Sequence, residues 1–438
     1  MEQGGNIGEQ PEGDPGAPAK LVHRQPHQAE KIVHRPILPE GASDPKRWGI
    51  LTLLFLSIAV NLLDRQVLSV LAPIIRDELQ LSNTEYSYIL FSFLLGLTLA
   101  QVPAGMLIDR RGPRFGLPLI MLWWSAANAL HAGARGVAHF CGLRFLLGVG
   151  ECGNYSAGVK VISQWFPARE RALAGGIFNS GTVIGSFLAP PLIVAIAMRY
   201  GWRMAFILPS VLGLLWIVPW LLFYRDRAPR AKAGASVPLL PLLARREVWA
   251  AMLMRALGGP VVHFYWYWLP EYLKRERNFS MEAIGLLAGI PFLFAGLGNV
   301  LGGWFSGWLI HKGFSTDRAR KLAFLIAGAL CFTSVLVPLT PGEAAPVALI
   351  CVATFGLSIY VATHIGLLTD LFPQKMLARV TGLTGMCEGC VNMALMLATG
   401  IVVDRFSYLP VFMAAGLMPA LGLSALFLLV RKIEPVRE

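Results

Sequence analysis

Charged residues are scarce in this chain of 438 residues. Only 15% of the residues are Asp, Glu, Lys or Arg, whereas 55% are hydrophobic. The apolar runs are repeatedly long enough to cross a hydrocarbon layer of about 30 Å, for which a helix needs about 20 residues. The composition therefore predicts a protein that crosses the lipid bilayer several times.

Other features are also missing, and each absence excludes a class of protein. The six cysteines lie in or beside apolar runs, so they indicate no disulfide framework. The C-x-x-C motif at 387–390 lacks further metal ligands, which favours helix packing. No spacing of nucleophile and base, no metal cluster and no phosphate loop is present, so we expect neither an enzyme nor a bound cofactor. The net charge of +12 comes from cations clustered between apolar runs, which argues against a nucleic-acid partner.

The apolar runs predict an all-α membrane protein with twelve transmembrane helices. Turn and charge signals place the helix starts near residues 48, 85, 114, 138, 170, 203, 248, 281, 320, 345, 376 and 408. Residues 1–47 are rich in Pro and Gly and lack the apolar core of a signal peptide, so we expect a disordered cytoplasmic tail. Six-helix bundles at 48–224 and 248–431 follow, with a cytoplasmic linker loop at 225–247 and a cytoplasmic tail at 432–438.

Two regularities support this organisation. Of the 38 Lys and Arg residues, 26 lie in the tails and even-numbered loops and 8 in the odd-numbered loops, which predicts that both termini are cytoplasmic. Short similarities recur at an offset of 206 residues: QWFPARERALAGG (164–176) resembles DLFPQKMLARVTG (370–382), and RYGWRMAF (199–206) resembles RFSYLPVF (405–412). Such repeats predict a substrate site between two halves.

Four cations lie within the predicted spans: Arg65, Arg144, Lys160 and Arg255. An ion in a span costs several kcal/mol unless it is paired or faces water. Arg144 and Glu151 are seven residues apart, about 10 Å along nearly the same helix face. Asp64 and Arg65 are adjacent, so one can face a central cavity while the other faces a neighbouring helix. Static salt bridges between helices 1 and 4 are the alternative to a functional site, and Lys160 can simply extend to the membrane surface.

Several motifs make the chain resemble the major facilitator superfamily over residues 48–431. GMLIDRRGPRFG at 105–116 is similar to the signature of that superfamily between helices 2 and 3, in which an acid and arginines form a cytoplasmic gate. The residues that would form this gate are Gly105, Asp109, Arg110 and Arg114. A generic positively charged loop is the alternative.

Within the superfamily, the chain resembles the anion:cation symporter family. The matching motifs are NLLDRQ in helix 1, the block from RFLLGVGECGNYSAG to SFLAPPLIV in helices 4 and 5, and VTGLTGM in helix 11. The helix 4–5 block and EYSYI at 85–89 are most similar to bacterial hexuronate transporters. The resemblance implies a symporter of the bacterial inner (cytoplasmic) membrane that imports a small sugar-acid anion, such as glucuronate or galacturonate, with protons as the coupling ion. Antiporters of the superfamily usually have Gly-Pro in helix 5, whereas GTVIGSFLAPP at 181–191 has none, which favours symport over antiport.

For the oligomeric state, we expect a monomer.

The resemblance also implies residue roles. Arg65 would bind the substrate carboxylate, and Asp64 and Glu151 would take up protons. This division fits the chemistry, because arginine stays cationic and presents two donors to a carboxylate, whereas burial favours the neutral form of an acid. Further candidate substrate contacts are Arg144, Asn179, Thr182, Arg255, Trp266, His364 and Glu388. Each can instead be a satisfied core residue, and sugar-acid relatives often have an amide where this chain has EGCVN in helix 11.

Rival functions remain open at this point. One is a symporter or exchanger of another organic anion, such as an aldonate, an aldarate or an aromatic acid. Another is a substrate sensor on the same fold. The membrane potential bears on the mechanism, since moving one charge through 100 mV is worth about 2.3 kcal/mol. One proton per monoanion makes transport electrically neutral, whereas two would let an inside-negative potential drive uptake.

Overall fold

The computed structural model describes residues 45–166, 168–226 and 242–434, apart from the side chains at 102, 109, 168, 169, 171, 172, 374, 375 and 377–379. The described chain is helical. Most of the predicted N-terminal tail and linker loop, and the last four residues of the predicted C-terminal tail, lie outside the described residues.

Fifteen α-helices have both ends in the described part of the chain. The N-terminal half contains α1 (Lys46–Val70), α2 (Ala72–Leu79), α3 (Asn83–Arg111), α4 (Pro113–Leu130), α5 (Val137–Glu151), α6 (Gly153–Trp165), α7 (Ala168–Tyr200) and α8 (Trp202–Phe223). The C-terminal half contains α9 (Arg246–Arg275), α10 (Met281–Leu287), α11 (Ile290–His311), α12 (Thr316–Phe332), α13 (Ala344–Leu371), α14 (Gln374–Arg405) and α15 (Leu409–Leu429). Short 3₁₀ turns follow α4 (His131–Gly133) and α12 (Thr333–Leu339).

The helices agree with the apolar runs of the sequence. A helix begins within four residues of each predicted start, and eight segments among the described residues are long and apolar enough to cross a membrane. Large apolar side chains are exposed on the outside, including Leu428 at 80% and Phe406 at 75%. Such an apolar surface suits contact with lipid. The all-helical membrane fold is therefore confirmed, while the twelve crossings and the cytoplasmic termini stay predictions.

Two predicted spans are interrupted, and one short helix was not predicted. The fourth span is divided between α5 and α6 at Cys152, directly after Glu151. Glycines flank this position, and each weakens a helix by about 1 kcal/mol relative to alanine. The eighth span is divided between α10 and α11, where Pro291 lacks a backbone donor. The unpredicted helix, α2, has only eight residues. It is too short to produce the long apolar run by which the other helices are recognised.

The two halves meet through corresponding helices. α3 packs against α14, and α7 packs against α10 and α11. In the predicted repeat, α3 corresponds to α11 and α7 corresponds to α14. The contact of α3 with α14 is therefore the counterpart of the contact of α7 with α11. α1 and α9 also touch, which brings together the helices that carry Arg65 and Arg255.

Glycines allow α3 and α5 to pack through their backbones. A Cβ atom at Gly148 would overlap the carbonyl oxygen of Phe93, and one at Gly96 would overlap that of Phe145. We expect Gly148→Ala to lower the free energy of unfolding by about 1–3 kcal/mol, because α3 must move away to admit the methyl group. The melting temperature of the purified protein measures this effect.

Gly142 on α5 provides the matched control. A Cβ atom there meets no atom within 4 Å, so Gly142→Ala should leave the melting temperature unchanged or raise it slightly through helix propensity. Equal melting temperatures for Gly148→Ala and the unsubstituted protein would contradict the close contact between α3 and α5.

Candidate functional site

Arg65 and Glu151 form an ion pair between α1 and α5. The Nε and Nη2 atoms of Arg65 both lie 2.8 Å from Oε2 of Glu151. The Glu151 side chain is fully buried, whereas 14% of the Arg65 side chain is exposed. The structure thus brings together the residues that the sequence assigns to anion binding and to proton uptake. An arginine that donates twice to one carboxylate can do so equally well to another.

Arg144 lies beside this pair and is completely buried. Its Nη1 donates to the carbonyl oxygen of Arg65 at 3.3 Å, and its Nε and Nη2 have no hydrogen-bond partner among the described residues. The guanidinium groups of Arg65 and Arg144 lie 5.3 and 5.8 Å from the centre of the Phe93 ring. Two cations that share one aromatic ring in a buried position form a locally positive site that favours an anion.

Asp64 points away from Arg65, as the turn of about 100° between adjacent helical residues predicts. Its carboxylate is fully buried and accepts hydrogen bonds from Trp124 Nε1 at 3.1 Å and Asn128 Nδ2 at 2.8 Å. The Asn128 amide also contacts Ser210 Oγ of α8 at 3.2 Å. Asp64 therefore joins α1 to α4 and α8. Sequence reasoning missed both donors, although Asn128 stands out as an amide in the last turn of a mainly apolar helix.

A second ion pair lies in the C-terminal half between α9 and α14. Arg255 Nε donates to Glu388 Oε2 at 2.5 Å, and 30% of the Arg255 side chain and 14% of the Glu388 side chain are exposed. Gly259 leaves room for the Glu388 carboxylate, because a Cβ atom at Gly259 would overlap it. The structure thus brings together two candidates that the sequence named separately.

One face of α9 connects this second pair to the first. Arg255, Gly259, His263 and Tyr267 follow one another at intervals of four residues, so they lie on one side of the helix. His263 Nδ1 lies 3.3 Å from the carbonyl oxygen of Gly259, the residue against which the Glu388 carboxylate packs. The Tyr267 ring packs against Phe93, with 6.4 Å between the ring centres. Sequence reasoning missed His263 and Tyr267 because the aromatic run HFYWYWLP at 263–270 does not by itself show which rings share the face of Arg255.

The remaining predicted contacts lie in different surroundings. Trp266 is half-buried, with its ring 5.6 Å from His263 and 6.4 Å from Phe292 of α11. On α7, Asn179 is exposed and Thr182 is half-buried. His364 is buried in the packing of α13 against α9, where its Nε2 lies 3.0 Å from the carbonyl oxygen of Ala251. The structure does not bring these four residues into the two ion pairs.

The predicted cytoplasmic gate lies where α3 meets α4. Arg110 is exposed and Arg114 is half-buried, and the Asp109 side chain lies outside the described residues. Gly105, one turn before Asp109, has open space around its Cα.

Gly112 joins α3 and α4 at a φ of 77°, a backbone conformation that residues with a side chain rarely adopt. A Cβ atom at Gly112 would meet the carboxylate of Asp226. Asp226 is thus an acid at the start of α4 that sequence reasoning missed.

The fourth intramembrane cation lies close to this junction. Lys160 donates from Nζ to the carbonyl oxygen of Ile108 at 3.2 Å. Its target belongs to the last turn of α3, where helix carbonyl groups favour a cation. This contact gives Lys160 a place in the packing of α6 against α3, while its extension to the membrane surface stays a prediction.

The halves are also joined by polar contacts at the opposite end, which we call the inter-half cluster: Arg76, Asp77, Asn83, Thr84, Glu271, Arg275 and Asp404. The buried Glu271 of α9 pairs with Arg76 of α2 and with Arg275, and Arg275 also pairs with Asp77. Asp404 of α14 accepts the backbone N–H groups of Asn83 and Thr84 at 3.0 and 2.6 Å. It thereby caps α3 from the other half of the protein. Sequence reasoning missed the cluster because its members are up to 321 residues apart.

Each half of the helical bundle carries an ion pair between two of its helices, and comparison with known proteins identifies the family. The chain matches the Major Facilitator Superfamily over residues 54–389. It is 32% identical over 407 residues to the probable L-galactonate transporter of Escherichia coli strain K12, covering 88% of this chain and 89% of that protein. It is 28% identical over 403 residues to the hexuronate transporter of the same strain, covering 86% and 92%.

The fold comparison agrees. A bacterial homologue of the human lysosomal transporter Spinster, in an inward-facing and occupied conformation, superimposes with a TM-score of 0.73 at 19% identity, covering 89% of this chain and 98% of that chain. The chain therefore belongs to the Major Facilitator Superfamily. It is a multi-pass membrane transporter and not an enzyme, and its similarity to bacterial hexuronate transporters is confirmed.

Proposed function

We propose that this protein is a proton-coupled symporter that imports a sugar-acid monoanion, a hexuronate such as glucuronate or galacturonate, across the bacterial inner membrane. The observation that carries the proposal is the Arg65–Glu151 pair. In this pair the Glu151 carboxylate binds the guanidinium group to which a substrate carboxylate would bind. The relatives named as hexuronate and L-galactonate transporters support an organic anion as substrate.

The same pair supports coupling to protons. When Glu151 takes up a proton it loses its charge, so its hold on Arg65 weakens and an incoming carboxylate can replace it. When the proton leaves, Glu151 competes again for Arg65 and favours release of the substrate. Asp64 is the second proposed proton site. It lies on the neighbouring face of α1, and its uptake of a proton would allow the membrane potential to drive import.

An aldonate is the second candidate substrate. The relative with 32% identity is named a probable L-galactonate transporter, and an aldonate presents the same single carboxylate followed by hydroxyl groups. A hexuronate and an aldonate would bind Arg65 through the same carboxylate group, and they differ at the far end of the carbon chain. Arg255, Glu388, His263 and Trp266 are the contacts we propose for that end.

A flux experiment tests the proposal. Purified protein in proteoliposomes should accumulate labelled glucuronate or galactonate when the outside is more acidic than the inside, and should not do so without the gradient. Uptake that ignores the gradient but requires an anion inside the vesicles would indicate an exchanger. Binding without any flux would indicate a sensor.

Alternating access predicts that the inter-half cluster opens and closes during transport. We expect Glu271→Gln to increase amide hydrogen exchange at Asn83 and Thr84 by at least about 10-fold, equivalent to about 1.4 kcal/mol. The reason is that a neutral amide cannot hold Arg76 and Arg275 together, so the halves separate more often and Asp404 releases the first amides of α3. Exchange measured by mass spectrometry on peptides that cover α3 gives the result.

Glu78→Gln is the matched control for this experiment. Glu78 also lies on α2, but its partners Trp202 and Arg203 belong to the same half, at 2.6 and 2.9 Å. This substitution should leave exchange at Asn83 and Thr84 unchanged. Equal exchange in Glu271→Gln and the unsubstituted protein would show that Glu271 does not hold the halves together.

A further inference from the structure

We propose that Glu388 makes the substrate site selective for sugar acids with one carboxylate, because it occupies the arginine that would bind a second one. This selectivity rests on the proposed function, in which Arg65 binds the first carboxylate. The substrate class that follows is an acid with a neutral, hydroxyl-bearing far end, and the class that is rejected is the dicarboxylic sugar acids.

The first support is the position of the Arg255–Glu388 pair. Both side chains are partly exposed, unlike the buried Arg144 and Asp64, so other molecules can reach them. The next residue of α14, Gly389, faces the N-terminal half, since a Cβ atom there would lie 3.7 Å from Thr98 Oγ1 of α3. The pair therefore lies beside the interface between the halves, where transporters of this architecture hold their substrates.

The second support is the spacing along α9. The Glu388 carboxylate lies against Gly259, one helical turn from His263 and two turns from Tyr267. The eight residues from Gly259 to Tyr267 rise about 12 Å, and Tyr267 marks the level of Phe93 and Arg65. An extended six-carbon acid with a hydrogen bond of about 3 Å at each end has a length of this order. One substrate can therefore reach from Arg65 to the Arg255–Glu388 pair.

The third support is the charge at that far end. In the proposed function a coupled proton releases Arg65 from Glu151, whereas no coupled proton is assigned to Glu388. Glu388 therefore keeps neutralising Arg255 at 2.5 Å, and a second substrate carboxylate would approach a carboxylate. Like charges placed together in a poorly solvated site reject the wrong partner. Hydroxyl groups meet no such barrier, because Glu388 accepts their hydrogen bonds and Arg255 donates to them.

The experiment compares the affinities of galactonate and galactarate for the purified full-length protein by calorimetry. The unsubstituted protein should bind galactonate at least about 10-fold more tightly. Glu388→Gln frees Arg255 and should improve the affinity for galactarate relative to galactonate by at least about 10-fold, equivalent to about 1.4 kcal/mol. Adding Arg255→Gln to that variant should abolish the gain, since the freed cation is then missing.

Two further variants separate charge from packing. Glu388→Asp keeps the negative charge and should keep the preference for galactonate, even if both affinities fall. Glu247→Gln removes an acid of α9, the helix of Arg255. Glu247 pairs with Arg246 at 3.1 Å outside the site, so this variant should leave the affinity ratio unchanged.

The outcomes are distinguishable. If the unsubstituted protein binds neither compound nor any hexuronate, the proposed function fails. If it binds galactonate but binds galactarate equally well, the selectivity proposed for Glu388 is overturned, whatever the variants do. If it prefers galactonate and Glu388→Gln leaves the ratio unchanged or binds neither compound, the proposed role of Glu388 is likewise overturned while the proposed function stands.

Discussion

Replacing Arg65 by lysine is expected to weaken binding of the sugar-acid anion by at least about 10-fold, and replacing it by glutamine by at least about 100-fold. Lysine keeps the charge but cannot present two coplanar donors, as Arg65 does to Glu151 through Nε and Nη2. A hydrogen bond to a charged group contributes about 1.5–3 kcal/mol, and 1.4 kcal/mol corresponds to a factor of ten. Glutamine also removes the cation that balances the substrate. Calorimetry with the purified protein measures both affinities.

An arginine in an exposed ion pair provides the control. Arg203 lies 2.9 Å from Glu78, and both side chains are more than 40% exposed. Exposed pairs contribute about 0–1 kcal/mol, so Arg203→Lys should change the affinity less than about twofold. If Arg65→Lys binds the anion within twofold of the unsubstituted protein, Arg65 does not bind the carboxylate through a bidentate contact.

Glu151→Gln is expected to reduce uphill accumulation under a proton gradient strongly, leaving only the coupling through Asp64, while the anion still exchanges across the membrane. The amide has nearly the same shape but takes up no proton, and it no longer competes as an anion for Arg65. Binding by the unsubstituted protein should weaken as the pH rises and Glu151 loses its proton, whereas binding by Glu151→Gln should lose this dependence. Proteoliposome flux with and without a gradient, together with calorimetry at several pH values, measures both effects.

Glu85 offers an acid-to-amide control outside the site. Its carboxylate forms a capping box with Ser82 at the exposed start of α3, and glutamine can replace glutamate in that motif. Glu85→Gln should therefore leave both accumulation and the pH dependence unchanged. Continued accumulation by Glu151→Gln with normal proton stoichiometry would remove Glu151 from the coupling mechanism.

The sequence predicts the helices well because long apolar runs separated by turn and charge signals are a local property of the chain. Its errors are also local in origin. The interruption at Cys152 and the division before Pro291 are breaks of one or two residues inside predicted spans, so the apolar pattern of a whole span does not reveal them. The short α2 carries Arg76, Asp77 and Glu78, and its composition resembles that of a connecting loop.

The candidate site shows a different limit. Sequence alone identifies Asp64, Arg65, Arg144 and Glu151 as charged residues within apolar segments, but it does not say which of them pair. The structure pairs Arg65 with Glu151 and places Asp64 against Trp124 and Asn128. The cause is the rotation and depth of each helix, which depend on packing against its neighbours, such as the contact of Gly148 with Phe93.

The sequence by itself determined that this protein lies in a membrane and that it resembles a transporter family. It also identified the few charged residues that lie within apolar segments. Those properties follow from composition, periodicity and motifs, which are written along the chain. Only the tertiary structure decided that Arg255 and Glu388, 133 residues apart, share one ion pair, and that Glu271 and Asp404 join the two halves. Such partners are set by the docking of one helix on another, because charges separated widely in sequence meet only after apolar faces have packed.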